Sequence, residues 1–136
     1  MWVVSGDYKV EPDPTCTPFE PVRCRGFVTE STFGLPIYRW HSPQQLAQEL
    51  DAWWEENARA GRCSVLYAYA FGKAQRIAAM LRAQPGPLLV HGAVAAMNEV
   101  YRAAGVDLPA TSHATAFSDR AALARALVLA PPSAAG

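Results

Sequence analysis

A chain of 136 residues, 51% apolar and 18% charged, is long enough to bury a core and reads as a globular protein, one domain by default. Twelve Lys and Arg balance twelve Asp and Glu, so the formal net charge is zero and no basic excess marks a polyanion partner. Every apolar stretch is far shorter than the roughly 18 residues of a membrane span, and Met1 to Lys9 lacks the basic start and apolar run of a signal peptide. A cytoplasmic location and no membrane partner are the expectation.

Trp2 to Ser5 predicts a short buried strand ending at the turn pair Ser5-Gly6. Pro12, Pro14, Pro18 and Pro21 then deny backbone donors and fix φ, which predicts an extended surface connection over residues 10–23. Gly26 to Glu30 reads as a second strand, running into the turn Phe33-Gly34-Leu35-Pro36. After this the apolar period changes. Ser42-Pro43 is an N-cap followed by proline at the first helical position, Leu46, Leu50, Trp53 and Trp54 recur at helical spacing, and Gly61 is placed to end the helix. Trp53-Trp54 reads as core and rim packing rather than a base-stacking platform.

Ser64 to Ala70 predicts a strand, Gly72 to Arg82 a helix, Leu88 to Val90 a continuous apolar strand, and Ala93 to Ala104 a helix closed by Gly105. Ser118 is placed to cap a last helix leading into the strand Leu127 to Ala130. Apolar strands alternating with helices predict a parallel sheet covered on both faces. The first 34 residues lack this rhythm and read as a different structural unit. A chain that opens on one strand and stops just after another reads as an internal fragment. Cys16, Cys24 and Cys63 form no CxxC pair, which argues against a zinc ribbon or a disulfide framework and predicts reduced, buried thiols.

Asp7 follows a strand and a glycine, where a carboxylate is placed to reach a metal ion at a sheet edge or, more blandly, to brace its own turn. Glu30 ends a strand, a position suited to acid–base work or to orienting a histidine, and equally to a solvated loop. Lys73 opens a helix after Phe71-Gly72, where free N–H groups and a cation favour an anion, although the glycine-rich lead of a P-loop is missing. His91 stands at the carboxyl end of a strand, whereas His41 and His113 have no partner by spacing. No HxHxDH, HExxH or GxSxG pattern occurs, so these residues do not build a complete metal site or a serine triad.

Taken in order, the segments Ser5-Gly6-Asp7-Tyr8-Lys9, Glu11-Pro12-Asp13-Pro14-Thr15-Cys16 and Thr29-Glu30-Ser31-Thr32-Phe33-Gly34-Leu35-Pro36 resemble the bacterial ligase-associated DNA exonucleases. So do Tyr69-Ala70-Phe71-Gly72-Lys73-Ala74-Gln75, Val90-His91-Gly92 and Leu129-Ala130-Pro131-Pro132. More distantly, the Gly-Asp and Glu-Ser-Thr-Phe-Gly pair is similar to RNA-cleaving polyadenylation nucleases and crosslink-repair nucleases. The resemblance implies an α/β fold in which residues 1–34 end a metallo-β-lactamase core segment and residues 35–136 form most of a β-CASP cap. It implies a metal-dependent exonuclease of DNA repair, with two divalent metal ions, zinc expected, in the full-length protein. Asp7 then matches the metal-bridging aspartate, and Glu30 the acidic residue that opens the β-CASP motifs and pairs with a histidine downstream. Lys73 is a candidate nucleic-acid contact, and an ATP-dependent DNA ligase and a helicase are implied partners.

Two departures stand out. The HxHxDH motif would precede Met1 and the later histidine motifs would follow Gly136, so the 136 residues alone are expected to be inactive. Two alternatives follow: a non-catalytic α/β remnant or binding module, and a nuclease acting on RNA.

Overall fold

Two separate parallel sheets account for all the strands among the described residues, 1–135, of the computed structural model. The first is a pair, β1 (Trp2–Val4) beside β2 (Gly26–Val28), in the register Trp2 to Gly26, Val3 to Phe27 and Val4 to Val28. Both strands are shorter than predicted. The expectation of a buried first strand does not hold: Trp2 is 73% and Val4 79% exposed, because a two-stranded ribbon has no further layer to cover its faces. Tyr8 instead packs within the segment, stacked on Phe19 and edge-on to Phe27.

The helix α1 (Pro43–Arg59) starts where its cap residues place it, with Ser42 Oγ accepting from Gln45 N. It buries Ala47, Trp54 and Ala58 along one face. Trp54 is the largest fully buried side chain, while Trp53 lies at the rim. At the far end Gly61 adopts φ +67, Gly61 N donates to Ala58 O, and Arg62 N donates to Asn57 O. These are the paired bonds of a left-handed helix stop.

The second sheet holds β3 (Ser64–Tyr67), β4 (Leu88–Val90), β5 (Ser112–His113) and β6 (Leu127–Ala130), in the spatial order β3-β6-β4-β5 and parallel throughout. The fold is thus mixed α/β with parallel sheets. Its two central strands are the apolar runs Leu-Leu-Val and Leu-Val-Leu-Ala, and Leu88, Leu89, Val90, Leu127, Leu129 and Ala130 are all buried. The helices α2 (Lys73–Met80), α3 (Gly92–Ala103) and α4 (Arg120–Leu123) connect these strands in turn. No helix is long and apolar enough to cross a membrane among the described residues.

Three local expectations need correction. Ser112–His113 forms the edge strand β5 between Gly105 and Ser118, where no strand was predicted, and is too short for any periodicity to reveal. The cap of the last helix is Asp119 rather than Ser118: Asp119 Oδ1 accepts from both Ala121 N and Ala122 N. The cysteines are free, but Cys16 and Cys63 are exposed and Cys24 half-buried, so none belongs to the core.

Gly105 ends α3 by the same device as Gly61, at φ +86, with Val106 N donating to Tyr101 O. A side chain in that conformation strains the backbone by about 1 kcal/mol. Gly105→Ala is expected to lower the urea midpoint by a corresponding amount while leaving the slope unchanged.

Candidate functional site

The parallel pairing of β1 and β2 sends both strands out at the same end. Asp7 lies three residues beyond the last pair, Val4 with Val28, and Glu30 two residues beyond it. The two loops touch: Thr29 Oγ1 donates to Tyr8 OH at 3.4 Å, and Ser5 N donates to Val28 O at 2.9 Å. Both acids are exposed. Glu30 Oε2 accepts from Thr32 N at 2.6 Å, and this backbone hydrogen bond, helped by the Thr32 hydroxyl, holds its carboxyl below the ordinary range. A carboxylate kept ionised in this way suits accepting or orienting a partner more than donating a proton.

Metal ligation is another matter. Among the described residues, no group of three or more His, Cys, Asp or Glu is gathered to hold a metal ion. His41 lies on the surface with Nδ1 3.4 Å from Glu49 Oε1. His91 caps α3, its Nδ1 accepting from Ala93 N at 3.1 Å. Asp7 by itself does not make a metal site.

The larger sheet has its own candidate edge. The chain leaves β4 outward to β5, then leaves β5 back past β4 to β6, so its direction reverses at the β4–β5 pair. Ligands of open α/β sheets sit at the carboxyl ends of strands where such a reversal occurs. An open groove of about 360 Å³ lies there, lined by Val90, Gly92, Ala95, Glu99, Thr111 and His113, among others. Its small residues come from the first turns of α3. A wider groove of about 500 Å³, lined by Ala58, Arg59, Pro85 and Arg125, lies at the opposite, amino ends of the strands and meets none of the candidate residues. Lys73 stands at the carboxyl edge too, beyond β3 and so two strands from β4, with its Nζ 5.4 Å from the centre of the Tyr69 ring.

Beneath this edge runs a buried polar chain. Gln75 Oε1 accepts from Gly72 N at 2.8 Å, and its Nε2 donates to Ala70 O at 3.0 Å and to Asn98 Oδ1 at 2.8 Å. Gln75 and Asn98 are fully buried and join α2 to α3. They fix the loop after β3 that carries Gly72, whose φ of +80 a glycine adopts without strain.

Sequence reasoning missed Asp13. The proline-rich connection is not wholly a surface strap: Thr15 is buried, and the Asp13 side chain is only 5% exposed. Asp13 Oδ1 accepts from Thr15 N at 2.9 Å and Thr15 Oγ1 at 2.7 Å, while Oδ2 faces Lys9 Nζ at 2.9 Å and Arg76 Nε at 3.2 Å. Asp-Pro-Thr suits a turn where an extended connection was predicted, and nothing in the local sequence points to Arg76.

Burial alone raises the Asp13 carboxyl, yet the bonds from Lys9 and Thr15 outweigh it and bring the pKa down to about 2. Tyr101 and Cys16 border the same spot, and burial, then the neighbouring Cys16 and Asp13, push the Tyr101 hydroxyl up. A folded pKa below the unfolded value stabilises the fold above the unfolded pKa, and that contribution is lost as pH falls from about 4 to about 2. Roughly 1 to 2 kcal/mol is expected to disappear over this window, after allowance for screening at the two partly exposed cations. Denaturation midpoints measured across the window check this, since Asp13→Asn flattens that part of the profile.

Among curated proteins, the chain is similar to the probable DNA ligase of Opitutus terrae, 24% identical over 105 residues. Those residues cover 77% of this chain but only 10% of the ligase. The chain therefore spans about a tenth of the length of the curated relative that it matches. No family model matches the chain, and no solved structure matches it.

Proposed function

We propose that the chain is part of a metal-dependent DNA exonuclease similar to the ligase-associated enzymes, with residues 1–34 from a metallo-β-lactamase core segment and residues 35–136 from a β-CASP cap. The observation that carries this reading is the parallel pairing of β1 with β2, which delivers Asp7 and Glu30, the two residues singled out by the motif resemblance, to one end of one sheet. The remaining metal ligands lie outside the chain in this reading. Glu30 serves as an acceptor that orients its partner, a role that its lowered carboxyl pKa supports.

Similarity to a probable DNA ligase supports a DNA-directed role. The 105 matched residues make up 10% of that relative, which is thus about a thousand residues long. A protein of that size has room for several domains, so the matched tenth need not be the part that joins DNA ends. DNA is accordingly the proposed substrate, and a ligase and a helicase the proposed partners.

The test uses the full reading frame containing these residues. End-labelled DNA is incubated with zinc or manganese and the unchanged protein, Asp7→Asn or Glu30→Gln. Loss of cleavage in Asp7→Asn is expected, with a partial loss in Glu30→Gln. Undiminished cleavage by Asp7→Asn sinks the assignment.

A second reading is a non-catalytic α/β binding module, supported by the open groove at the carboxyl ends of β4 and β5. It predicts no DNA cleavage by the full reading frame under either metal.

A further inference from the structure

We propose that Asp13 is a clasp that holds the segment of residues 1–30 on the four-stranded unit through its ion pair with Arg76 of α2. This goes beyond the nuclease reading and does not depend on it. The two carboxylate oxygens divide the work. Oδ1 is occupied inside the turn by Thr15 N and Oγ1, while Oδ2 faces both cations, Lys9 from its own segment and Arg76 from the helix after β3. Among the described residues, no hydrogen bond joins residues 1–40 to residues 43–135, and Asp13–Arg76 is the one ion pair that does.

The rest of the segment is held mainly to itself: β1 to β2, Tyr8 to Phe19 and Phe27, Lys9 to Asp13. Its strands leave Trp2, Val4, Phe27 and Val28 exposed, so apolar burial does little to fix them in place. The carboxylate is nearly fully covered, and solvent ions screen a pair so placed less than one at an open surface. The clasp therefore positions the loops that carry Asp7 and Glu30, which lie on the same segment. Neither acid touches α2 through any bond of its own.

The experiment follows amide hydrogen exchange, residue by residue, in the 136-residue chain and its variants. Asp13→Asn keeps a turn acceptor for Thr15 and removes the charge. Arg76→Met removes only the bond across to α2, Arg76→Lys restores a cation there, and Lys9→Met removes only the pair within the segment. Exchange at Ser5, Thr15, Cys16 and Arg25 is expected to quicken about tenfold in Asp13→Asn and in Arg76→Met, as local opening without global unfolding requires. Arg76→Lys is expected to recover most of the protection, and Lys9→Met to lose little. Amides of β4 and β6 stay as slow as before.

Four results overturn the clasp. One is unchanged exchange in the segment when Asp13 or Arg76 is replaced. Another is equal quickening in β4 and β6, which would make Asp13 a general stabiliser. A third is release by Lys9→Met as large as that by Arg76→Met. The last is free exchange of these amides already in the unchanged chain.

Discussion

Trp54→Ala is expected to lower folding stability by about 4 kcal/mol, within the range for removing a buried aromatic ring. The ring is fully buried in the cluster with Ala58, Leu88, Leu108 and Leu127, and so leaves a cavity when truncated. It also gives up a hydrogen bond, because Trp54 Nε1 donates to Arg125 O at 2.9 Å. That carbonyl sits against Gly86, close enough that a Cβ there would clash with it. Against a total stability of about 5 to 15 kcal/mol for a domain, such a loss leaves the chain near its limit. Trp54→Phe keeps most of the volume and orphans only the carbonyl, and should cost about 2 kcal/mol. Urea titration followed by far-UV circular dichroism measures both. A Trp54→Ala variant within 1 kcal/mol of the unchanged protein would mean that α1 is not anchored as described.

Gln75→Leu is expected to cost about 3 kcal/mol although it changes the side-chain volume little, because a group left unpaired inside costs more than its hydrogen bond contributes. Three groups lose their partner at once: Gly72 N, Ala70 O and Asn98 Oδ1. The loss falls on the loop after β3, so the amides of Gly72 to Ala74 should lose protection before those of β4. Replacing Asn98 by Leu in the same chain removes one of the stranded acceptors. The double variant is therefore expected to lose less than the sum of the two single changes. Strict additivity would indicate that Gln75 and Asn98 are paired with water rather than with each other.

Much of the larger sheet was legible because its signals are local. Ser42-Pro43 and Gly61 bracket α1, and Leu88 to Val90 and Leu127 to Ala130 are strands that chemistry on both faces demands. The parallel rhythm follows from their alternation with helices. What stayed hidden depends on partners distant in sequence. Ser112–His113 is a strand only because β4 lies beside it, and no two-residue pattern carries that information. Asp13 falls within the predicted extended connection, and only Arg76, sixty-three positions later, coming up against it shows otherwise. The apolar Trp2-Val3-Val4 predicts burial that a two-stranded ribbon has no layer to provide. Of the candidate site, the meeting of the Asp7 and Glu30 loops depends on the β1–β2 pairing. The spacing of 23 residues between them is silent on it.

The four-stranded sheet has unequal borders. At one side β5 offers two residues before the backbone turns into the 3-10 helix Ala114–Ala116. At the other, β3 offers four residues, with Val65 and Tyr67 exposed. Only the β3 border is long enough to template another strand. A molecule with one such border per sheet can join a copy of itself once, border to border about a twofold axis, and the joint sheet then has no long border left. Growth of this sheet by strand addition is thus confined to its β3 border.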